Sequence, residues 1–209
     1  MDDASRQRAK PAYENARGQP LAVEGLYAGR CAWLICGGPS FAKLRKRPLR
    51  NPGVITMGVN NSPRVFRPNL WTCVDEPDHF VKSIFLDPRI TKFLPVGKRD
   101  KQVFDSDRWD YLPTVTKDCP ACIYYRLTHE GDPAKDPKTF LRQQEHYWGN
   151  KGDEGGARSV MQPALRILYD LGFSRVFLLG ADFRMTEGGQ NYSFQQHRAA
   201  GSVKGNNKT

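Results

Sequence analysis

Short apolar runs in this sequence end in small or polar residues, and the first of these endings could bind a phosphate. The run 31–36, Cys-Ala-Trp-Leu-Ile-Cys, is followed by Gly37, Gly38, Pro39 and Ser40. Glycines let backbone N–H groups approach a phosphate, and a helix beginning after them would add its positive end. The turn matches neither a GxGxxG fingerprint nor a Walker loop. An ordinary strand-to-helix turn is the alternative interpretation.

Two further endings offer amides and a carboxylate. The run 54–59 is followed by Asn60 and Asn61, whose side chains both donate and accept hydrogen bonds. They suit a base edge or a ribose hydroxyl. The run 70–74 is followed by Asp75, which could hold a metal on a diphosphate or hydrogen-bond a ribose. Plain turns are the alternative in both places, because these residue types also favour turns.

The C-terminal part of the sequence holds a second group of candidates. In chain order they are Gly155, Gly156, Ser159, Asp182, Arg184, Tyr192 and His197. The two glycines and the serine precede a predicted helix and could bind an anion, with a plain capped helix start as the alternative. The later residues follow a strand and could reach a substrate. His197 is the candidate general base, and a surface histidine is the alternative.

The cysteines give a weak metal signal. Cys119 and Cys122 form a CxxC pair with His129 downstream, which is half of a structural zinc site. Because the second half is not visible, zinc is not expected, and a redox CxxC is expected even less. Apolar surroundings predict core positions for the other three cysteines, Cys31, Cys36 and Cys73.

Composition and charge restrict the partners and the location. The 209 residues include 32 Lys and Arg against 22 Asp and Glu, a net charge of +10, which favours an anionic partner. Segment 43–50 carries much of this charge and could guide an anionic substrate, bind a nucleic-acid backbone, or form a solvated face.

No apolar run approaches the ~20 residues of a membrane span. The odd cysteine count without an export signal predicts a cytoplasmic location.

The apolar runs have the length and composition of strands buried on both faces. Strands are predicted at 31–36, 54–59, 70–74, 90–96, 122–127 and 176–179, and a helix at 159–171. A helix followed after a short turn by an apolar strand is typical of a parallel crossover unit. The pattern therefore predicts an α/β fold with its ligand edge at the carboxyl ends of the strands.

The domain boundaries follow composition. We expect one domain over 21–200, between a flexible basic arm at 1–20 and a polar tail at 201–209. Segment 97–154, rich in charges and prolines, is predicted to be an irregular insertion or lid. The sequence leaves open whether the chain forms a homo-oligomer.

Several of these segments resemble one known group of proteins. Segment 34–41, LICGGPSF, resembles the GxGPSL opening of bacterial sialyltransferases, of the related motility accessory factors and of hydroxymethylpterin pyrophosphokinases. Val59-Asn60 is similar to the end of their next strand. Segment 155–182 is similar to a later block that begins with glycine, continues through a helix and a strand, and ends in Asp. Asp182-Phe183 with Tyr192-Ser193-Phe194 is similar to the sialyltransferase DF…YAF segment. The resemblance covers roughly residues 31–80 and 155–195.

The resemblance implies a Rossmann-like fold, a mostly parallel sheet flanked by helices, with a nucleotide donor at the carboxyl edge. The Gly37–Ser40 turn and Asn60 would contact the nucleotide, and Ser159 with its preceding glycines would line the donor pocket. Asp182 and Tyr192 would lie near the phosphate or the transferred group. Sialyltransferase members need no metal, whereas pyrophosphokinase members use magnesium. This chain departs from the motif at Cys36, Gly37 and Arg184.

Three functional hypotheses follow. The first is a nucleotide-sugar-dependent glycosyltransferase, with the nucleotide sugar as co-substrate and Tyr192 and Arg184 stabilising the departing phosphate. The second is a magnesium-dependent diphosphokinase-type transferase, with Asp75 and Asp182 holding the metal. The third is a nucleic-acid-binding protein or DNA-base glycosyltransferase. An anionic acceptor, DNA included, suits the net charge of +10.

Overall fold

A computed structural model describes residues 13–105, 107–128, 146–147, 160–183 and 191–194. These residues contain two α-helices, α1 (Lys82–Leu86) and α2 (Met161–Asp170). They also contain strands β1 (Tyr13–Glu14), β2 (Cys31–Ile35), β3 (Ile55–Val59), β4 (Leu70–Thr72), β5 (Thr91–Pro95), β6 (Gln102–Asp105), β7 (Asp110–Val115), β8 (Cys122–Tyr125), β9 (Leu127–Thr128), β10 (His146–Tyr147) and β11 (Arg175–Leu179).

Seven of the strands form one mixed sheet in the order β1-β8-β5-β4-β3-β2-β11. Neighbouring strands are parallel throughout, except that β1 runs antiparallel to β8. Two further pairs lie outside it, the antiparallel β6–β7 and the parallel β9–β10. The mostly parallel sheet is compatible with the predicted α/β fold, although helices are sparse in the part of the chain described.

The apolar runs form the strands that the sequence predicts. Each predicted strand has an observed counterpart whose ends differ by no more than two residues. The predicted helix is α2, and the strand after it pairs in parallel with β2, as a crossover unit requires. Strand β3 is buried at all five positions, which explains its continuous apolar sequence.

The side chains of the strands alternate between two apolar clusters, one on each face of the sheet. Leu70, Phe93 and Tyr125 belong to the cluster that contains Ile167 and Leu168 of α2. Their immediate chain neighbours Trp71, Leu94 and Tyr124 belong to the other cluster, which also contains Ile84 of α1. Both faces of the central strands are therefore covered.

The order of the strands reverses at β2. The chain crosses the sheet from β2 through β3 and β4 to β5, whereas β11 returns to the other side of β2. In open α/β sheets, ligands bind outside the carboxyl ends of the strands at such a switch point. The topology therefore directs attention to the segments that follow β2, β3 and β11.

Part of the predicted N-terminal arm belongs to the sheet. Tyr13 and Glu14 form β1, and both side chains are buried. The Glu14 carboxylate forms ion pairs with Arg99 at 2.9 Å and Arg126 at 3.0 Å. The prediction of a flexible arm is therefore wrong for these residues, because buried ion pairs and strand pairing hold them. Residues 1–12 lie outside the described part.

Two other expectations need correction or extension. Cys31 is exposed rather than buried, because it is the first residue of β2 and pairs with the exposed Arg175, whereas Cys36 and Cys73 are core residues as predicted. The beginning of the predicted lid is regular, since β6 and β7 form a hairpin there. Most of its remainder and the 201–209 tail lie outside the described residues.

None of the described helices is long and apolar enough to cross a membrane.

Candidate functional site

The glycine turn after β2 is joined to the end of β11 by backbone hydrogen bonds. The Cys36 N–H donates to the Leu179 carbonyl at 2.7 Å, and the Gly38 N–H donates to the Gly180 carbonyl at 2.8 Å. The Ser40 N–H donates to the Asp182 carboxylate at 3.1 Å. The predicted residues of these two strand ends therefore lie together at the switch point.

Glycine is required in this turn by close packing. A Cβ added at Gly38 would overlap Oδ2 of Asp182 and the carbonyl oxygen of Gly180. Gly180 has a φ of +67°, and a Cβ there would lie 2.9 Å from the Cys36 carbonyl oxygen. Both positions thus bring the backbones of two neighbouring strands closer than any larger residue would allow.

The same contacts change the role expected for the turn. Pro39 has no N–H, and the Gly38 and Ser40 N–H groups already donate to Gly180 and Asp182. In place of the helix considered after the glycine turn, the chain forms a 3₁₀ turn, Pro39–Lys43. A 3₁₀ turn lacks the aligned N-terminus of an α-helix. The carboxylate of Asp182 beside Ser40 would also repel an anion. This geometry gives the turn a packing role and supplies no backbone cradle at these amides.

Tyr192, Ser193 and Phe194 lie over the glycine turn. The Ser193 N–H donates to the Gly37 carbonyl at 2.9 Å. The rings of Tyr192 and Phe194 stack with centroids 5.2 Å apart, and both would touch a Cβ added at Gly37, each at 3.3 Å. The structure therefore brings the predicted Tyr192 to the predicted turn, and the two rings form an aromatic wall there.

The thiol between these elements is unsuited to nucleophilic work. Burial raises the pKa of Cys36 to about 11, and the neighbouring Asp182 carboxylate adds to the rise. The thiol is therefore protonated at neutral pH. Cys36 fills space under the turn, consistent with its predicted role as a core residue.

Asn60, at the end of β3, is held in a left-handed conformation with φ of 48°. Its N–H donates to the Thr72 carbonyl at 3.1 Å, and its carbonyl accepts from Trp71 Nε1 at 2.8 Å. Asparagine tolerates this region better than other residues with a side chain. The backbone of Asn60 is thus fixed by two bonds to β4, and neither bond uses its side-chain amide.

Two buried amide oxygens at this strand end lack hydrogen-bond donors. Among the described residues, neither Asn60 Oδ1 nor Asn61 Oδ1 has a partner. The Asn61 side chain is oriented by its Nδ2, which donates to the His79 carbonyl at 2.9 Å. An unpaired buried acceptor costs about 1–3 kcal/mol, so such atoms in a native structure call for a donor from elsewhere. A bound ligand with N–H or O–H groups would supply it.

The acidic turn after β4 is largely engaged in ion pairs and hydrogen bonds of its own. Asp75 is half-buried there, beside Cys73. Glu76 forms an ion pair with Lys98, whose hydrogen bond lowers the pKa of the Glu76 carboxyl. Asp78 accepts from the Tyr111 hydroxyl at 3.2 Å. Within the described ranges, no group of three or more His, Cys, Asp or Glu side chains is placed to hold a metal ion.

The CxxC pair is buried in the apolar cluster that contains Trp71. Cys119 and Cys122 are free thiols, and burial raises the pKa of Cys122 to about 12. Cys122 pairs in register with Lys92, a buried lysine whose ammonium donates to the Asp87 carbonyl at 2.8 Å. Both thiols are therefore protonated at neutral pH, and His129 lies outside the described part.

The basic segment 43–50 follows the glycine turn as an exposed stretch containing a second 3₁₀ turn, Arg47–Arg50. Lys46 lies 5.1 Å from the centroid of the Phe41 ring and donates to the Ala42 carbonyl at 3.2 Å. Arg50 lies over the ring of Phe66. Most of the charges in this segment remain exposed beside the site, which keeps the prediction of electrostatic guidance open.

Sequence analysis did not identify a cleft of about 470 Å³ at this edge of the sheet. Its lining residues are Arg64, Arg67, Val81, Lys82, Ser83, Asp107 and Phe194. Phe194 is the ring that also covers Gly37, so the cleft adjoins the aromatic wall. The available signal was the pair of arginines three residues apart just after the Asn-Asn-Ser-Pro turn.

Comparisons of the chain with models of protein families, with curated proteins and with solved structures find no match.

Five predicted site residues lie outside the described part of the chain: Gly155, Gly156, Ser159, Arg184 and His197. Their predicted roles in donor binding, phosphate stabilisation and proton transfer remain predictions.

Proposed function

We propose that this chain is a glycosyltransferase that binds a nucleotide-sugar donor at the carboxyl edge of a Rossmann-like sheet, near β2 and β3. The proposal is carried by the buried amide oxygens of Asn60 and Asn61, which have no hydrogen-bond donor among the residues that the structure describes. A nucleoside offers the ring N–H or amino groups and the ribose hydroxyls that would satisfy them. Their position beside the topological switch point is where α/β sheets bind such ligands.

The surroundings suit the other parts of such a donor. The rings of Tyr192 and Phe194 offer an apolar surface beside the glycine turn. The adjoining cleft of about 470 Å³ is of the size that holds small organic ligands. The hydroxyl of Tyr192 is a donor that could stabilise charge developing on a departing phosphate.

In the proposed reaction an acceptor hydroxyl oxygen attacks the anomeric carbon of the donor sugar. The bond between that carbon and the phosphate oxygen breaks, and its electron pair leaves with the phosphate. The proton of the hydroxyl passes to a general base, for which His197 is the sequence-based candidate. The products are a glycoside and a nucleoside mono- or diphosphate, depending on the donor.

Replacing Asn60 by glycine tests the proposal, because glycine keeps the left-handed backbone while removing the amide. We expect about tenfold weaker binding of the preferred nucleotide, which corresponds to about 1.4 kcal/mol and is typical of one lost hydrogen bond. A thermal-shift panel of nucleosides, nucleotides and nucleotide sugars would first identify the ligand, and titration calorimetry would compare the two proteins.

The matched control is Asn51→Ala, an exposed asparagine outside the site, which should leave affinity unchanged. Release of nucleotide from the nucleotide sugar should continue in excess EDTA. If no nucleotide stabilises the protein, or if Asn60→Gly binds as well as the wild type, the proposal fails. Phosphoryl transfer from ATP that EDTA abolishes would instead support the diphosphokinase hypothesis.

A further inference from the structure

The phosphates of a nucleotide bound at this edge need a positive partner, and the glycine turn does not provide one. Its Gly38 and Ser40 amides donate to Gly180 and Asp182, and the Asp182 carboxylate places negative charge at the turn. A phosphate would therefore be repelled there rather than held. Cations on the neighbouring segments are therefore the candidates for binding the phosphates.

The cleft beside the aromatic wall is built by segments that follow three adjacent strands. Arg64 and Arg67 lie on the segment after β3, only a few residues beyond Asn60 and Asn61. Lys82 and Ser83 lie on α1, which follows β4. Phe194 closes the side next to Gly37, beyond the end of β2. The cleft thus lies beside the segment that carries the proposed nucleoside site, with Phe194 between it and Gly37.

The net positive charge of the cleft comes from its two arginines. Lys82 forms ion pairs with Asp105 at 2.7 Å and with Asp107 at 3.0 Å, so two carboxylates face its single charge, and Asp105 also lies 3.9 Å from Arg108. Arg67 donates to the Ser83 hydroxyl at 2.6 Å, which orients its guanidinium without neutralising it. In the described part of the chain, neither Arg64 nor Arg67 forms an ion pair with a carboxylate, although Arg67 adds a smaller contribution to the lowered pKa of Asp87, which its hydrogen bond with Arg89 mainly causes.

We propose that Arg64 and Arg67 form the phosphate-binding subsite of the nucleotide ligand. Guanidinium groups bind phosphate oxygens through paired, charge-assisted hydrogen bonds, and two guanidinium charges match the charge of a terminal phosphate. The identity of the ligand as a nucleotide rests on the proposed function. The subsite itself rests on the cleft and on the two arginines in its lining, neither of which forms an ion pair among the described residues.

The dimensions of the cleft favour a small phosphorylated molecule over a nucleic-acid strand. Its volume of about 470 Å³ is that of a pocket for a small ligand. Its lining includes the Phe194 ring and the ion pair between Lys82 and Asp107. A nucleic-acid groove would instead extend along a row of cations and aromatic rings.

Comparing ligands with and without phosphate isolates this subsite. Titration calorimetry would measure the nucleoside and its diphosphate against the wild type and Arg64→Gln/Arg67→Gln. In the variant we expect the diphosphate to bind about 10- to 100-fold more weakly, while the nucleoside stays within about twofold. Arg64→Lys/Arg67→Lys keeps the positive charges but loses the paired N–H donors of the guanidinium groups. Its affinity for the diphosphate should lie between those of the wild type and the glutamine variant.

The control Arg17→Gln/Arg175→Gln removes the same charge from exposed positions outside the cleft. At 0.15 M salt it should leave both affinities unchanged, because the Debye length is about 8 Å. An equal affinity of the wild type and the cleft variant for the diphosphate overturns the subsite.

A separate arm uses inorganic pyrophosphate. If neither nucleosides nor nucleotides bind the wild type, the proposed function fails, while pyrophosphate binding that is lost in Arg64→Gln/Arg67→Gln still supports the subsite. Pyrophosphate binding that survives in the variant, or that is absent from both proteins, overturns it. Arginine-dependent binding of a single-stranded oligonucleotide without mononucleotide binding also overturns it, in favour of a nucleic-acid surface.

Discussion

Asn60 shows how much a single residue of the site depends on tertiary structure. Its type and its place after an apolar run predict a side chain that can bind a ligand, and the structure places it at the expected edge. Its left-handed backbone is held by hydrogen bonds to Thr72 and Trp71 of the neighbouring strand. Those bonds depend on strand pairing, which a local sequence pattern does not specify.

Gly38 illustrates the opposite outcome. Its position after β2 suggested a backbone open to phosphate, but the residue is a point of close contact between two chain segments. Replacing Gly38 with alanine should lower the free energy of unfolding by about 1–3 kcal/mol, the usual cost of overpacking, because the new Cβ would overlap Asp182 and Gly180. Urea unfolding followed by circular dichroism would measure the change.

Gly97→Ala is the control for this substitution, because a Cβ there would meet nothing within 4 Å. We expect it to change stability by no more than about 0.5 kcal/mol, as for ordinary surface positions. Equal stabilities of the two variants would show that the turn has room for a side chain, which would reopen its role as a phosphate cradle.

At the scale of the elements, the buried parallel strands could be predicted because their residues must be apolar on both faces. β3 and β5 are examples, with predicted and observed ends no more than one residue apart. β1 could not be predicted in the same way. It has only two residues, and it is held in the sheet in part by ion pairs between Glu14 and arginines that lie far along the chain.

These ion pairs should determine how firmly β1 is attached. Glu14→Gln should lower the free energy of unfolding by about 1.5–3 kcal/mol, the range for hydrogen bonds to charged groups, because it leaves Arg99 and Arg126 without their carboxylate. Denaturant unfolding would measure this loss. Asp100→Asn removes a carboxylate from an exposed pair with Lys117, where about 0–1 kcal/mol is expected. Equal losses would contradict a structural role for Glu14.

For the whole molecule, the order of the strands is the feature that sequence analysis could not provide. The crossover prediction required β11 to pair in parallel in the same sheet, but its place beside β2 depends on packing across the entire sheet. That position creates the switch point and joins the glycine turn to Asp182. The same assembly brings Phe194 to the cleft of Arg64 and Arg67, residues that no motif had identified.

The charge of the molecule also has a more specific interpretation at this scale. A net charge of +10 indicates an anionic partner without locating it. The fold balances Lys82, Lys98 and Arg99 with acidic side chains, whereas Arg64 and Arg67 keep their charge in a cleft beside the switch point. The structure thereby adds two testable side chains in a cleft to the exposed charges of segment 43–50.

The central claim is that a nucleotide binds where β2, β3 and the 191–194 segment meet. Hydrogen–deuterium exchange with mass spectrometry, with and without the saturating nucleotide identified by the panel, tests it most directly. We predict slower exchange in peptides covering 58–67 and 191–194, and no change in peptides covering β1. Protection confined to other peptides, with none at 58–67 or 191–194, would contradict the claim.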